Sequence, residues 1–164
     1  MNREPHRQIS RRGFSLIELV IVVVIIGIIA AIAVPRMSRG AKGAANSAVA
    51  ANLAVLRNAL DLYATEHLGD YPAIDDVAGA LTTYTDISGD VSSTSDSTHV
   101  YGPYVRTIPP LPVGTNQGRD DFTATPPAVS VATAGWYYNA TTGQVLANTT
   151  DAEVDDAGVA YNTY

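Results

Sequence analysis

The sequence predicts an α+β fold: one long amino-terminal α-helix, transmembrane in its first half, packed through its second half against a small antiparallel β-sheet. Three observations predict it. Between Phe14 and Val34 there is one charge, Glu18, followed by an unbroken run of Leu, Ile, Val and Ala with a single Gly27. Beyond Pro35, apolar residues recur at helical spacing as far as Tyr63. After residue 100, short aromatic and β-branched stretches are separated by Gly, Pro and Asn turn signals. The segments are therefore residues 1–13, 14–34, 35–68 and 69–164, the last a globular α+β domain with an acidic carboxyl-terminal tail.

Residues 1–13 are polar and basic, with Arg3, Arg7, Arg11 and Arg12 against Glu4. Such a stretch suits the n-region of a secretory signal or the cytoplasmic flank of a membrane anchor. Residues 14–34 would extend roughly 31 Å as a helix, enough to cross a hydrocarbon core. Ala31-Ile32-Ala33 offers a conventional cleavage pattern after Ala33. A glutamate inside the apolar region suits a signal peptide poorly. Arg36, Arg39 and Lys42 flank the far end, so charge counting gives only a slim bias toward a cytoplasmic amino terminus.

Pro35 lacks an N–H and crowds the preceding turn, so a kink or local opening is expected there. Gly40 and Gly43 weaken the helix further, by about 1 kcal/mol each relative to Ala. The period then resumes. Val49, Leu53, Leu56, Leu60 and Tyr63 form one apolar seam, and Arg57 and Asp61 are spaced to pair on the solvent side. Gly69 and Pro72 stop the helix. One helix over residues 14–68 would run roughly 82 Å.

A short second helix is predicted from Asp75 or Asp76, either a suitable cap, to about Thr83. Residues 86–98 are rich in Ser, Thr, Asp and Gly and read as an exposed loop. Val100–Ile108 is a candidate strand region broken by Gly102-Pro103, followed by a connector containing Pro109, Pro110 and Pro112. Residues 135–139 and 144–148 read as a hairpin. Its aromatics need an apolar partner, and the seam from Val49 to Tyr63 is the long one available.

The composition argues against several function classes. The net charge is −6, and from Asp70 onward twelve Asp and Glu face Arg106 and Arg119, leaving no basic patch for nucleic acid. With no cysteine there is no thiolate zinc site and no cysteine nucleophile. His6, His67 and His99 lack partners at metal-ligand spacing, and neither G-x-S-x-G nor a complete P-loop occurs around Gly40-Ala41-Lys42-Gly43. No enzyme is predicted. Asn139-Ala140-Thr141 and Asn148-Thr149-Thr150 match glycosylation sequons but read as turn residues. The acidic tail offers Asp151, Glu153, Asp155 and Asp156 as oxygen ligands for Ca²⁺, against the plainer reading of a solvated, partly disordered tail.

The stretch Gly13-Phe14-Ser15-Leu16-Ile17-Glu18-Leu19, with the basic residues before it, resembles the class III leader junction of type IV pilins and type II secretion pseudopilins. Pro35 falls where pilin-like helices commonly carry proline. Tyr101-Gly102-Pro103-Tyr104-Val105 through Pro109 is similar to a G-P-Y-L…P stretch of major pseudopilins, and Gly135-Trp136-Tyr137-Tyr138 with Thr142-Gly143 resembles a pilin-like hairpin. The resemblance implies that a prepilin peptidase cuts after Gly13 and that Phe14 becomes the methylated amino terminus. It implies an inner-membrane subunit with a periplasmic domain, which polymerises with itself and other pseudopilins on an assembly platform. Major pseudopilins also place a calcium loop toward the carboxyl end, although their usual Asp-rich, Gly-containing loop with a nearby Trp is missing here. The missing cysteine pair and Gly102-Pro103-Tyr104 favour a pseudopilin over a type IV pilin of an extracellular filament. A signal-anchored periplasmic binding domain that never polymerises is the reading from another class. Glu18 would be the fifth residue of the mature chain. Packed among helices away from water, its carboxylate needs a cation, and a neighbouring subunit's new amine would make Glu18 a register device.

Overall fold

A computed structural model describes residues 13–127 and 133–164. The leader before Gly13 lies outside the described residues. Helix α1 runs from Leu16 to Glu66, 51 residues, and the helical assignment continues through position 35. Pro35 therefore ends no helix, and its side chain lies outside the described residues. The chain divides into two compact units with the boundary between Gly40 and Ala41. In the first, every residue from Gly13 to Ile32 is exposed, and Leu16–Ala33 is long and apolar enough to cross a membrane.

The second unit is α+β. Val49, Leu53, Leu56, Leu60 and Tyr63 of α1 are all 0–3% exposed, so the predicted seam is the helical side of the core. Burying each Leu is worth about 1.5–3 kcal/mol. The helix closes where expected: Leu68 and Gly69 take positive φ, and Gly69 N–H donates to the Ala64 carbonyl at 2.8 Å. Helix α2 (Val77–Thr82) has Asp76 at its amino-terminal cap position and buries Val77, Ala80 and Leu81. Asp76 makes no side-chain capping bond.

Strands β1 (Tyr84–Thr85) and β2 (Val91–Ser92) pair antiparallel. Strand β3 (Phe122–Thr123) lies beside β4 (Trp136–Asn139), and β4 pairs in turn with β5 (Gln144–Ala147). The β4–β5 hairpin is antiparallel, with Trp136 opposite Ala147 and Asn139 opposite Gln144. The β3–β4 pair is parallel, so this sheet is mixed rather than antiparallel throughout. Trp136, Tyr138, Val145 and Ala147 are buried in the same core cluster as the α1 seam.

Three local expectations are corrected. Residues 86–98 contain β2, because the Asp86 carboxylate accepts bonds from Ser88 N–H and Asp90 N–H and folds the chain back. Residues 100–108 form an isolated bridge, Thr85 to Tyr101, in place of a strand. The N–H groups of Tyr104 and Val105 go instead to the Leu81 carbonyl, and Gly102, at φ 73°, lies so close to Thr83 that a Cβ would come within 2.6 Å of its carbonyl oxygen. Arg57 does not pair with Asp61: it donates to the carbonyls of Val145 at 3.2 Å and Tyr164 at 2.5 Å. Facing the sheet and the end of the chain, it satisfies groups that the sequence does not place beside it.

The acidic tail is folded. Val154 bridges Ala160, and a 3-10 turn at Tyr161–Thr163 sets Tyr161 into the core. Asn148, a sequon residue, is fully buried and donates to the Ala134 carbonyl at 2.7 Å. Asn139 ends β4 rather than lying in the turn, and its side-chain oxygen accepts from Thr141 N–H at 2.9 Å as the turn begins.

Candidate assembly site

The first turn of α1 carries the predicted processing and register residues. Ser15 precedes Leu16, the first helical residue, and Glu18 stands in the first turn. The Glu18 carboxylate accepts the Ser15 backbone N–H at 3.1 Å, which is one half of a capping box. That contact offsets part of the cost of an unpartnered helix end, and the carboxylate suits the positive end of the helix dipole. The spacing Ser15-x-x-Glu18 is the signal for it, a local reason for a glutamate in this span. Around it Phe14 is 85% exposed, and Leu16, Ile17 and Leu19 are at least 60% exposed.

A side chain built at Gly13 would meet nothing within 4 Å. Among the described residues no contact demands glycine there. Gly27 is equally open.

The carboxylates of the tail are placed as acceptors for the protein's own donors. Glu153 Oε1 accepts from Thr115 N–H and hydroxyl, at 2.5 and 2.9 Å, and Oε2 from those of Thr150, at 2.7 and 3.1 Å. Burial pushes the Glu153 carboxyl up, but these four donors outweigh it and hold it below the ordinary glutamate value. Asp155 accepts from Ala157 and Val159 N–H and from the Tyr164 hydroxyl, and that last bond pushes the Tyr164 phenol up to about 12. Asp151 accepts from Asn162 at 2.8 Å, and Asp156 faces Asn46 at 3.4 Å. Among the described residues no group of three or more His, Asp or Glu is placed to hold a metal ion.

The Gly102-Pro103-Tyr104 stretch seats on the carboxyl-terminal end of α1. The Tyr104 hydroxyl donates to Glu66 at 2.6 Å, and its ring meets Tyr63 edge-on at 5.6 Å. Burial, then the Glu66 bond, pushes the Tyr104 phenol far above its ordinary value. His67 stacks on Tyr63 at 3.7 Å and is buried, its ring nitrogens 2.8 Å from the Tyr63 and Asp86 carbonyls. Sequence reasoning missed this cluster because it joins residues that lie far apart in the chain.

Residues 9–34 match the prokaryotic N-terminal methylation motif. No curated protein and no solved structure matches the chain. The motif covers the leader junction and the apolar span. In general it implies processing by a prepilin peptidase, anchoring in the inner membrane through the apolar helix, and assembly into a filament.

Proposed function

We propose that this type IV pilin-like prepilin is a pseudopilin, a structural subunit of a type II secretion system. It is inserted in the inner membrane, cut between Gly13 and Phe14, methylated on Phe14, and polymerised through α1 into a periplasmic filament that drives protein export. The observation that carries the reading is an exposed apolar span whose one carboxylate, Glu18, stands in the first turn of the helix, directly after the junction. Inside a bundle of such helices Glu18 is a charge in need of a cation, and the amine on a neighbour's Phe14 supplies it. The pseudopilin reading, rather than a pilin of an extracellular filament, is supported by Gly102-Pro103-Tyr104 and its seat against Glu66 and Tyr63.

Amino-terminal mass spectrometry of the membrane-extracted protein tests the processing. The expected product starts at methylated Phe14, and replacement of Gly13 by a bulky residue leaves precursor in the membrane. A start at Val34, or an intact Met1, overturns the reading. Calcium in the tail, at Asp151, Glu153, Asp155 and Asp156, is tested by melting the periplasmic fragment with and without chelator. The donors already bound to these four carboxylates favour no shift.

A further inference from the structure

We propose that the acidic recess at the carboxyl-terminal end of α1 receives the cationic segment Arg36–Lys42 of a second copy of the chain. This rests on the assembly reading above.

The recess has a volume of about 580 Å³. Asp70, Asp76 and Asp90 line it, and no Lys or Arg does. Among the described residues the one ion pair is Asp96 with His99, so the three carboxylates have no cation of their own. A second observation is independent of them. Tyr63 lines the recess and is 3% exposed, yet its hydroxyl bonds to no group among the described residues. It lies beside Gly89, also in the lining, so close that a Cβ there would come within 2.6 Å of the oxygen. Burial, then Asp86, Asp70 and Asp76, raises the phenol, so it stays a neutral acceptor among carboxylates. His67 is already engaged with backbone carbonyls. A hydroxyl with no partner among the described residues, opening into a recess lined by carboxylates without a cation, fits a donor-rich cation. The carboxylates do not converge as metal ligands, so the fit is to an ammonium or guanidinium group on a side chain rather than to a point ion.

The remaining cations identify the occupant. Four of the ten Lys and Arg precede Gly13 and leave with the leader. Of the other six, Arg57 is tied to Val145 and Tyr164, Arg119 donates to the Thr133 carbonyl, and Arg106 lines a separate depression with Asp120 and Asp121. Arg36 and Lys42 are left, both exposed and in no ion pair among the described residues. Lys42 cannot fill the recess of its own chain. At 1.5 Å per residue it lies about 31 Å from Tyr63 along α1, several times the reach of a lysine. A copy displaced along the helix axis by about that distance brings its basic segment to the recess. Interfacial charge pairs of this kind set register and partner choice.

The chain has no cysteine, so crosslinks are read without background. Two differently tagged copies, one with Ala41→Cys and one with Ala73→Cys, are co-expressed in assembling cells and treated with a short bismaleimide. A mixed dimer is expected. It should be lost with Asp76→Lys in the second copy and recovered when the first copy also carries Lys42→Glu. Tyr63→Phe should lower the yield with the melting temperature of the domain unchanged. As a positive control, cysteines within residues 16–32 report helix-to-helix assembly. If that control crosslinks and the mixed dimer is absent, the recess proposal is overturned and the filament reading stands. If neither crosslinks, both are overturned. A mixed dimer untouched by Asp76→Lys also overturns the recess as the receiving site.

Discussion

The two halves of α1 share one helical backbone and meet opposite fates. In Leu16–Ala33, Leu, Ile and Val fill every side of the helix and remain exposed. In Ala41–Glu66, the large apolar residues fall mainly on one face, and Val49, Leu53, Leu56 and Leu60 are wholly buried in the chain's own core. A helix apolar all round is made for lipid or for other helices, whereas an amphipathic one is made for its own domain. The comparison teaches where to look for each kind of failure. Substitutions in the first half should change assembly and leave the domain's stability alone. Substitutions in the seam should do the reverse.

The largest effect separates the halves outright. Glu18→Val or Glu18→Ala makes the span more apolar, so insertion and cleavage should survive, while filament assembly and secretion should be lost. Both variants also lose the bond to Ser15 N–H. Glu18→Gln keeps an oxygen for that bond and removes only the charge. Loss of assembly with Gln assigns the defect to register; full assembly with Gln assigns it to the helix cap. Immunoblots of sheared or crosslinked filaments read both.

In the packed half, Leu56→Ala should destabilise the globular unit by about 2–5 kcal/mol, the range for a buried leucine that leaves a cavity. Ile25→Ala, in the exposed half, should leave the domain's denaturant midpoint unchanged. Equal shifts in urea melts of the two variants would break the comparison.

A third prediction tests the folded tail. Glu153→Ala removes an acceptor used by four donors and should cost about 2 kcal/mol, as for a charged hydrogen-bonded group. The folded carboxyl titrates below its unfolded value of about 4.3. Its contribution is therefore complete above that pH and is lost as pH falls through the lower folded value. Melting from pH 7 down to pH 3 should show an acid loss in the parent protein that is smaller in Glu153→Ala.

The apolar span, the helical seam and the β4–β5 hairpin were legible because each is a local pattern read at its own period. Residues 9–34 carry so specific a pattern that the leader junction could be read from Gly13, Phe14 and Glu18 together. What could not be read depends on distance along the chain. Strand β3 is two residues long, and its identity comes from lying beside Trp136 and Tyr137. The folded tail depends on Thr115, 38 residues before Glu153. The recess depends on Tyr63 and Gly89 meeting, and no spacing rule brings those together. The cap at Glu18 was the exception, a local signal masked by the stronger register argument for the same residue.

The smallest effect concerns a pair that sequence spacing favours and the fold declines. Arg57 and Asp61 are four apart on α1, a spacing worth a few tenths of a kcal/mol when the side chains meet. In the structure the Arg57 guanidinium turns to the carbonyls of Val145 and Tyr164. Asp61 is exposed and joins no ion pair among the described residues. Asp61→Ala should therefore lie within about 0.5 kcal/mol of the parent, as for an ordinary surface change. Arg57→Met keeps much of the stem and removes the donors, so two carbonyls lose their partner at about 1 kcal/mol each. A double-mutant cycle makes the test sharp, because it removes whatever each substitution does alone. The expected coupling between Arg57 and Asp61 is zero within error in urea melts. A coupling near half a kcal/mol would mean that the arginine spends its time on the solvent face, and that the tie from α1 to the end of the chain is weaker than its geometry implies.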